Sequence, residues 1–325
     1  LPWVEYDGAR LRNLSAKLTP VGAKRHQLEL EVGDPGLMLQ ARAQTSLSAK
    51  GLTDMALEVQ LRHLDGAQWR FVPQLGSQRL ALGARLRLSS FDIDRGQGEL
   101  VLDHASLESV DRSLNLENLT LRFSGSPETG RILSLRSPYV TTQLSGHFTI
   151  AQLLPDLKKT LYHHYPSLAP ATMTKEQGQS RSDWELALQL HRLPESWQRV
   201  LHLPLGLEQG VDLRANYIGS AHALHLEADA PSLRLQGNRL HAAQLAFSDG
   251  ELQVRGDLQL ASGTELRGIS LQAHTSPDSI HAEIGLGRDS LERANGYLRL
   301  GARLSPHFTE TGHRKGVGVV LNLSP

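Results

Sequence analysis

The chain is 325 residues long, enough to bury a sizeable core, and length alone suggests about two domains. Its 34 Lys and Arg balance 34 Asp and Glu, so no global field draws it to nucleic acid or to an anionic membrane. Cysteine is absent and aromatic residues make up only 5%, which excludes disulfides, thiolate metal sites, a cysteine nucleophile and the Trp/Tyr platforms of a carbohydrate-binding sandwich.

Alternation of apolar and polar residues begins near the N-terminus, with Leu11 and Leu14, then Leu28, Leu30 and Val32, each flanked by charged or polar neighbours. Turn signals recur about every ten residues, at Gly33-Asp34-Pro35-Gly36, Ala49-Lys50-Gly51 and Asp65-Gly66. Leu57/Val59/Leu61, Leu80/Leu82, Leu86/Leu88, Leu100/Leu102, Leu119/Leu121/Phe123 and Leu133/Leu135 continue the pattern, roughly nine strands in this part. Strict alternation predicts antiparallel strands with one dry face, because strands covered on both sides read as continuous apolar runs.

The stretch from Arg131 to Tyr165 breaks the pattern. It passes from strand through Ser145-Gly146 into an amphipathic helix over residues 151–165, with Leu153, Leu154, Leu157, Leu161 and Tyr165 on one face. Pro155 fits such a helix only in its first turn. Residues 166–182, rich in Pro, Ser, Thr and Gln, read as a flexible linker. Strand character resumes at Trp184/Leu186/Leu188/Leu190, a short second helix is expected after Pro194, and a long run of strands follows. That run includes Val211/Leu213, Leu224/Leu226, Leu252/Val254, Leu258/Leu260, Ile269/Leu271, Ile280/Ile284 and Leu298/Leu300. The organisation expected is an all-β chain with one or two short helices: a module over 1–165 ending in the helix, the linker, and a second module over 183–325.

Catalytic signatures are missing. GxSxG, SxxK, GxxxxGK[ST] and HExxH do not occur, and the expectation is a protein that is not an enzyme and needs no cofactor. Of fifteen histidines, His163 and His164 are adjacent and point about 100° apart on a helix, which disfavours chelation of one ion. Asp92-Ile93-Asp94-Arg95-Gly96 resembles the start of a calcium loop, but Gln97 stands where the glycine is needed and Asp103 where the bidentate Glu is needed. No metal site is expected.

What remains is the aliphatic face, with two readings that periodicity cannot separate. In one, two sheets bury each other in a closed sandwich with a structural or adhesive role. In the other, a sheet curls into an open trough whose wall accepts something apolar.

The segment from Leu100 to Tyr165 resembles the TamB/AsmA-like family of bacterial envelope proteins. The residues that carry the resemblance are Leu119, Leu121 and Phe123, then Arg131, Leu133, Leu135, Ser137, Leu144, Gly146 and Phe148, the helix, and Tyr165-Pro166. The resemblance implies an elongated, curled antiparallel sheet forming an open hydrophobic groove, a β-taco, in the periplasm. It also implies a longer parent chain anchored in the inner membrane, of which this is an internal segment. The function implied is noncatalytic conduction of phospholipid between inner and outer membranes. The alternative is assembly of outer-membrane barrels beside an Omp85-type partner. On this reading the groove lining is Leu119, Leu121, Phe123, Leu186, Leu188, Leu190, Val211, Leu213, Leu252, Val254, Leu258 and Leu260. Leu153, Leu157 and Leu161 would cap it.

Overall fold

The computed structural model describes residues 3–6, 9–48, 51–66, 78–90, 92, 94–109, 112–164, 182–191, 205–207, 209–235, 237–276, 279–286, 296–308 and 314–324. The fold is all-β and antiparallel, with one α-helix among the described residues. The expected second helix after Pro194, and the linker up to residue 181, lie outside the described residues. Two compact units divide the chain between Gln143 and Leu144.

In the first unit a hairpin of β1 (Trp3–Tyr6) and β2 (Ala9–Arg12) precedes a meander in which each strand pairs with the next. Its strands are β3 (Leu14–Gly22), β4 (Arg25–Asp34), β5 (Leu37–Ser48), β6 (Gly51–Asp65), β7 (Arg79–Leu88), β8 (Gly98–Ser109), β9 (Arg112–Ser126) and β10 (Gly130–Arg136). The predicted turn residues act as turn chemistry requires. Asp34 accepts from the Gly36 amide at 2.9 Å and from the Arg12 amide at 3.1 Å, closing the β4–β5 turn and tying the first hairpin to it. The expected Asp92–Gly96 turn joins β7 to β8. There Asp94 meets the guanidinium of Arg131, a side chain only 1% exposed. This pair pins the turn to the start of β10 and accounts for the buried arginine, whose charge needs a partner in a dry setting.

β11 (Val140–His147) leads into the second unit. Gly146 has a φ of +137°, and a Cβ there would lie 2.2 Å from the Asp183 carbonyl oxygen, so glycine is demanded by the approach of the next strand. The second meander comprises β12 (Asp183–Leu190), β13 (Leu205–Leu207), β14 (Val211–Ile218), β15 (Ala223–Leu235), β16 (Asn238–Ser248), β17 (Glu251–Gln259), β18 (Glu265–Ser276), β19 (Ser279–Leu286), β20 (Gly296–Phe308) and β21 (Arg314–Ser324). β12 pairs with β14, and the short β13 pairs with the far end of β15.

Helix α1 spans Ile150–His164 and belongs to the second unit. The expectation had set it at the end of a module over 1–165. The Tyr217 hydroxyl on β14 donates to the Asp156 carbonyl at 3.3 Å and fixes the helix to the sheet of that unit. Pro155 stands sixth in the helix, beyond the first turn where it was expected. It has no N–H for the Ala151 carbonyl, and the helix forgoes that bond.

Candidate functional site

Alternation puts the aliphatic side chains on one face of each sheet, and register then lines them up across strands. In the first unit one row runs Leu18, Leu28, Ala43, Leu57, Leu86, Leu100, Leu121 and Leu135, each directly opposite the next from β3 to β10. A neighbouring row runs Val32, Leu39, Leu61, Leu82, Ala105 and Leu116. In the second unit Leu188, Leu213, Ala228, Leu245, Val254, Leu271, Ile284 and Leu298 form a row from β12 to β20. Leu186, Ala215, Leu226, Phe247, Leu252, Ala273, Ala282 and Leu300 form the next.

The first row in each unit is not sealed as a sandwich core would be, whereas the second rows include the buried Val32, Leu61, Ala215, Ala273 and Ala282. Leu57, Leu86, Leu100, Leu121, Leu188, Leu213, Leu245, Val254 and Leu271 are all half-buried, while their sequence neighbours on the opposite face are mostly exposed. A tighter cluster of Val32, Leu37, Leu61 and Leu64, with Leu14, Leu39, Leu80 and Leu82 against it, supplies local core in the first unit.

Every residue expected to line a groove falls on these faces or at their ends. Leu119, Leu121 and Phe123 share one side of β9, opposite Leu102, Leu100 and Gly98. The Phe123 ring lies over Gly98, where a Cβ would come within 2.3 Å of it, so the missing side chain makes room for the ring. Leu186, Leu188 and Leu190 face Ala215, Leu213 and Val211, and Leu252 and Val254 face Ala273 and Leu271. Leu258 lies between Leu240 and Leu266, past an irregularity in the register that follows Gly256. Leu260 sits just beyond β17, in a turn closed by the Leu260 amide donating to Thr264 at 2.8 Å.

The helix meets the sheet differently from expectation. It covers the end of the second aliphatic face, over Tyr217, which is fully buried and stacks on Trp184 with centroids 5.3 Å apart. The packed side of the helix carries Asp156 and Thr160, both buried, with the Thr160 hydroxyl donating to the Tyr217 hydroxyl at 3.3 Å. Leu153 is half-buried beside them, but Leu157 and Leu161 are exposed and do not cap the face. The reason is steric and chemical: a buried phenol needs a hydrogen-bond partner, and a Thr and a backbone carbonyl supply one where a leucine cannot. Periodicity marked the apolar stripe and missed this polar contact, whose only signal was a Thr between two Leu turns.

The opposite face of each sheet is a lattice of charge pairs. Glu29 bridges Arg42 at 3.2 Å, Asp103 bridges Arg85 at 2.6 Å, Glu99 bridges Arg122 at 2.7 Å and Glu283 bridges Arg299 at 2.7 Å. The hydrogen bond to Asp103, reinforced by its charge, raises the Arg85 pKa further above its ordinary range. A hollow of about 920 Å³ on this polar side of the first unit is lined by Arg25, Arg87, Arg122, Glu99, Asp54 and Ile132 among others. No cluster of three or more His, Asp or Glu side chains suited to a metal ion occurs among the described residues. His163, one of the histidines weighed above, stacks on His222 with centroids 5.1 Å apart.

Comparison of the chain with family models, with curated proteins and with solved structures returns no match.

Proposed function

We propose that the aliphatic rows form a noncatalytic track for acyl chains, and that the protein is a periplasmic lipid conduit of the kind the TamB-like resemblance implies. The observation that carries this reading is the continuity of the rows: in each unit one unbroken line of Leu, Ile, Val and Ala crosses eight paired strands, half-buried from Ala43 to Leu135 and from Leu188 to Ile284, with Leu18, Leu28 and Leu298 exposed at the ends. Strands stand about 4.8 Å apart, so such a row extends over roughly 35 Å, longer than an acyl chain. Each methylene shielded from water gains about 0.8 kcal/mol, and a wall of branched aliphatics offers many weak contacts of similar strength. An acyl chain moves along such a wall without meeting one deep well. On this reading Leu119, Leu121, Phe123, Leu186, Leu188, Leu190, Val211, Leu213, Leu252, Val254, Leu258 and Leu260 contact lipid. The charged lattice opposite keeps the chain soluble. The partners are phospholipid and, at the outer membrane, an Omp85-type barrel, with the parent chain held at the inner membrane.

A photo-reactive residue at Leu188 or Leu213 tests this. Phospholipid adducts from those positions, with none from Gln189 or Arg214, are the expected result. Adducts from the outward positions alone sink the lipid reading, and adducts to barrel proteins without lipid move it to barrel assembly.

A further inference from the structure

The one helix among the described residues carries a second apolar surface that the sheet does not use. Ile150, Leu154, Leu157 and Leu161 are 40%, 62%, 37% and 44% exposed, and at 3.6 residues per turn they fall within an arc of about 60°. That arc lies to one side of the packed edge formed by Asp156 and Thr160. Among the described residues, these four make up the longest run of exposed large aliphatics on any single element. Isolated exposed leucines need no explanation, but a stripe four residues long on one helix does.

The charges on the helix select what covers the stripe. Its only acid, Asp156, is 2% exposed and lies on the sheet side, held by Lys159 at 3.4 Å. Lys158 is exposed on the flank of the stripe. The outward surface therefore presents leucines and a cation with no carboxylate from its own helix. A helix with an apolar face, a cationic flank and too little length to span a bilayer lies in the plane of a membrane interface, its leucines among the acyl chains and its lysine among anionic headgroups. We infer that α1 is a membrane-docking helix, which seats the second unit on a bilayer surface bearing anionic lipid. The net charge of the whole chain is zero, so the attraction is local to this helix. The inference does not require acyl chains in the aliphatic rows.

Co-sedimentation with vesicles of phosphatidylcholine mixed with phosphatidylglycerol, and with vesicles of phosphatidylcholine alone, tests it. The full chain is expected to sediment with the mixed vesicles. The double variant Leu154→Asp/Leu157→Asp should partition at least about tenfold less, because two leucines leave the interface. Lys158→Gln should weaken binding to mixed vesicles about fivefold and leave the neutral ones unchanged. Both variants alter exposed positions, and an unchanged circular dichroism spectrum and urea midpoint will certify their fold; Leu154→Gln serves if the double variant does not fold. The inference is overturned if the full chain stays in the supernatant, or if the double variant binds like the parent. It is equally overturned if the parent is a dimer that the double variant dissolves, since a second copy then covers the stripe. Leu213→Gln separates this from the conduit: lost lipid adducts with intact vesicle binding would touch the conduit alone.

Discussion

Tyr217 shows how much one side chain settles. It is fully buried, donates to the Asp156 carbonyl at 3.3 Å and accepts from Thr160 at 3.3 Å. Tyr217→Phe keeps the ring stacked on Trp184 and removes the hydroxyl, leaving the Thr160 hydroxyl with the Asp156 carbonyl at 3.3 Å as its acceptor. Urea denaturation should show a loss of about 1 kcal/mol. Glu128 gives a pH-dependent counterpart. A hydrogen bond with Ser126, with help from its own backbone amide and from Arg95, holds its carboxyl below the ordinary 4.5. Its folded pKa is depressed, so its small contribution is present above the ordinary carboxylate range and is lost as pH falls through the folded value. Carboxyl NMR titration should place the Glu128 midpoint below 4.5, and Ser126→Ala should move it upward. Gly146 was visible in the sequence only as a glycine near the strand-to-helix change. The 2.2 Å approach of the Asp183 carbonyl to a would-be Cβ explains it, and that neighbour lies 37 positions away.

At the scale of elements, strands and the helix were both legible, the helix expected over 151–165 and found at Ile150–His164, but the edge by which the helix packs was not. A period of two leaves a half-buried strand little choice, and β4, β6 and β9 run where Leu28/Leu30/Val32, Leu57/Val59/Leu61 and Leu119/Leu121/Phe123 placed them. A helix stripe says only that one face is apolar. Here the sheet takes the edge with Asp156 and Thr160, and the stripe faces outward. Leu157→Glu is therefore expected to change stability by no more than about 0.5 kcal/mol, as at other surface positions. Leu57→Glu, in the middle of the first row, should cost more than about 3 kcal/mol by placing a carboxylate among packed aliphatics. Hydrogen exchange distinguishes them: faster exchange across β5, β6 and β7 for Leu57→Glu, and parental rates for Leu157→Glu.

For the molecule as a whole, the acyl-chain track and the docking helix proposed above are two modes of lipid contact with different physics. Burial of acyl chains against the rows is nondirectional and insensitive to ionic strength, whereas docking through Lys158 weakens as salt screens it over about 10 Å at 0.1 M. Binding of a fluorescent fatty acid should therefore survive high salt, while sedimentation with anionic vesicles declines. The sequence by itself determined that the chain is all-β, that each strand has one aliphatic and one charged side, and that common catalytic motifs are missing. Those features are written in nearest-neighbour alternation and turn residues. Tertiary structure alone decided that Leu28, Ala43, Leu57, Leu86, Leu100 and Leu121 stand directly opposite one another, because register depends on partners far away in the chain. It also decided which edge of the helix is buried: a phenol on β14 needed a hydrogen-bond partner, and only the fold brings the two together.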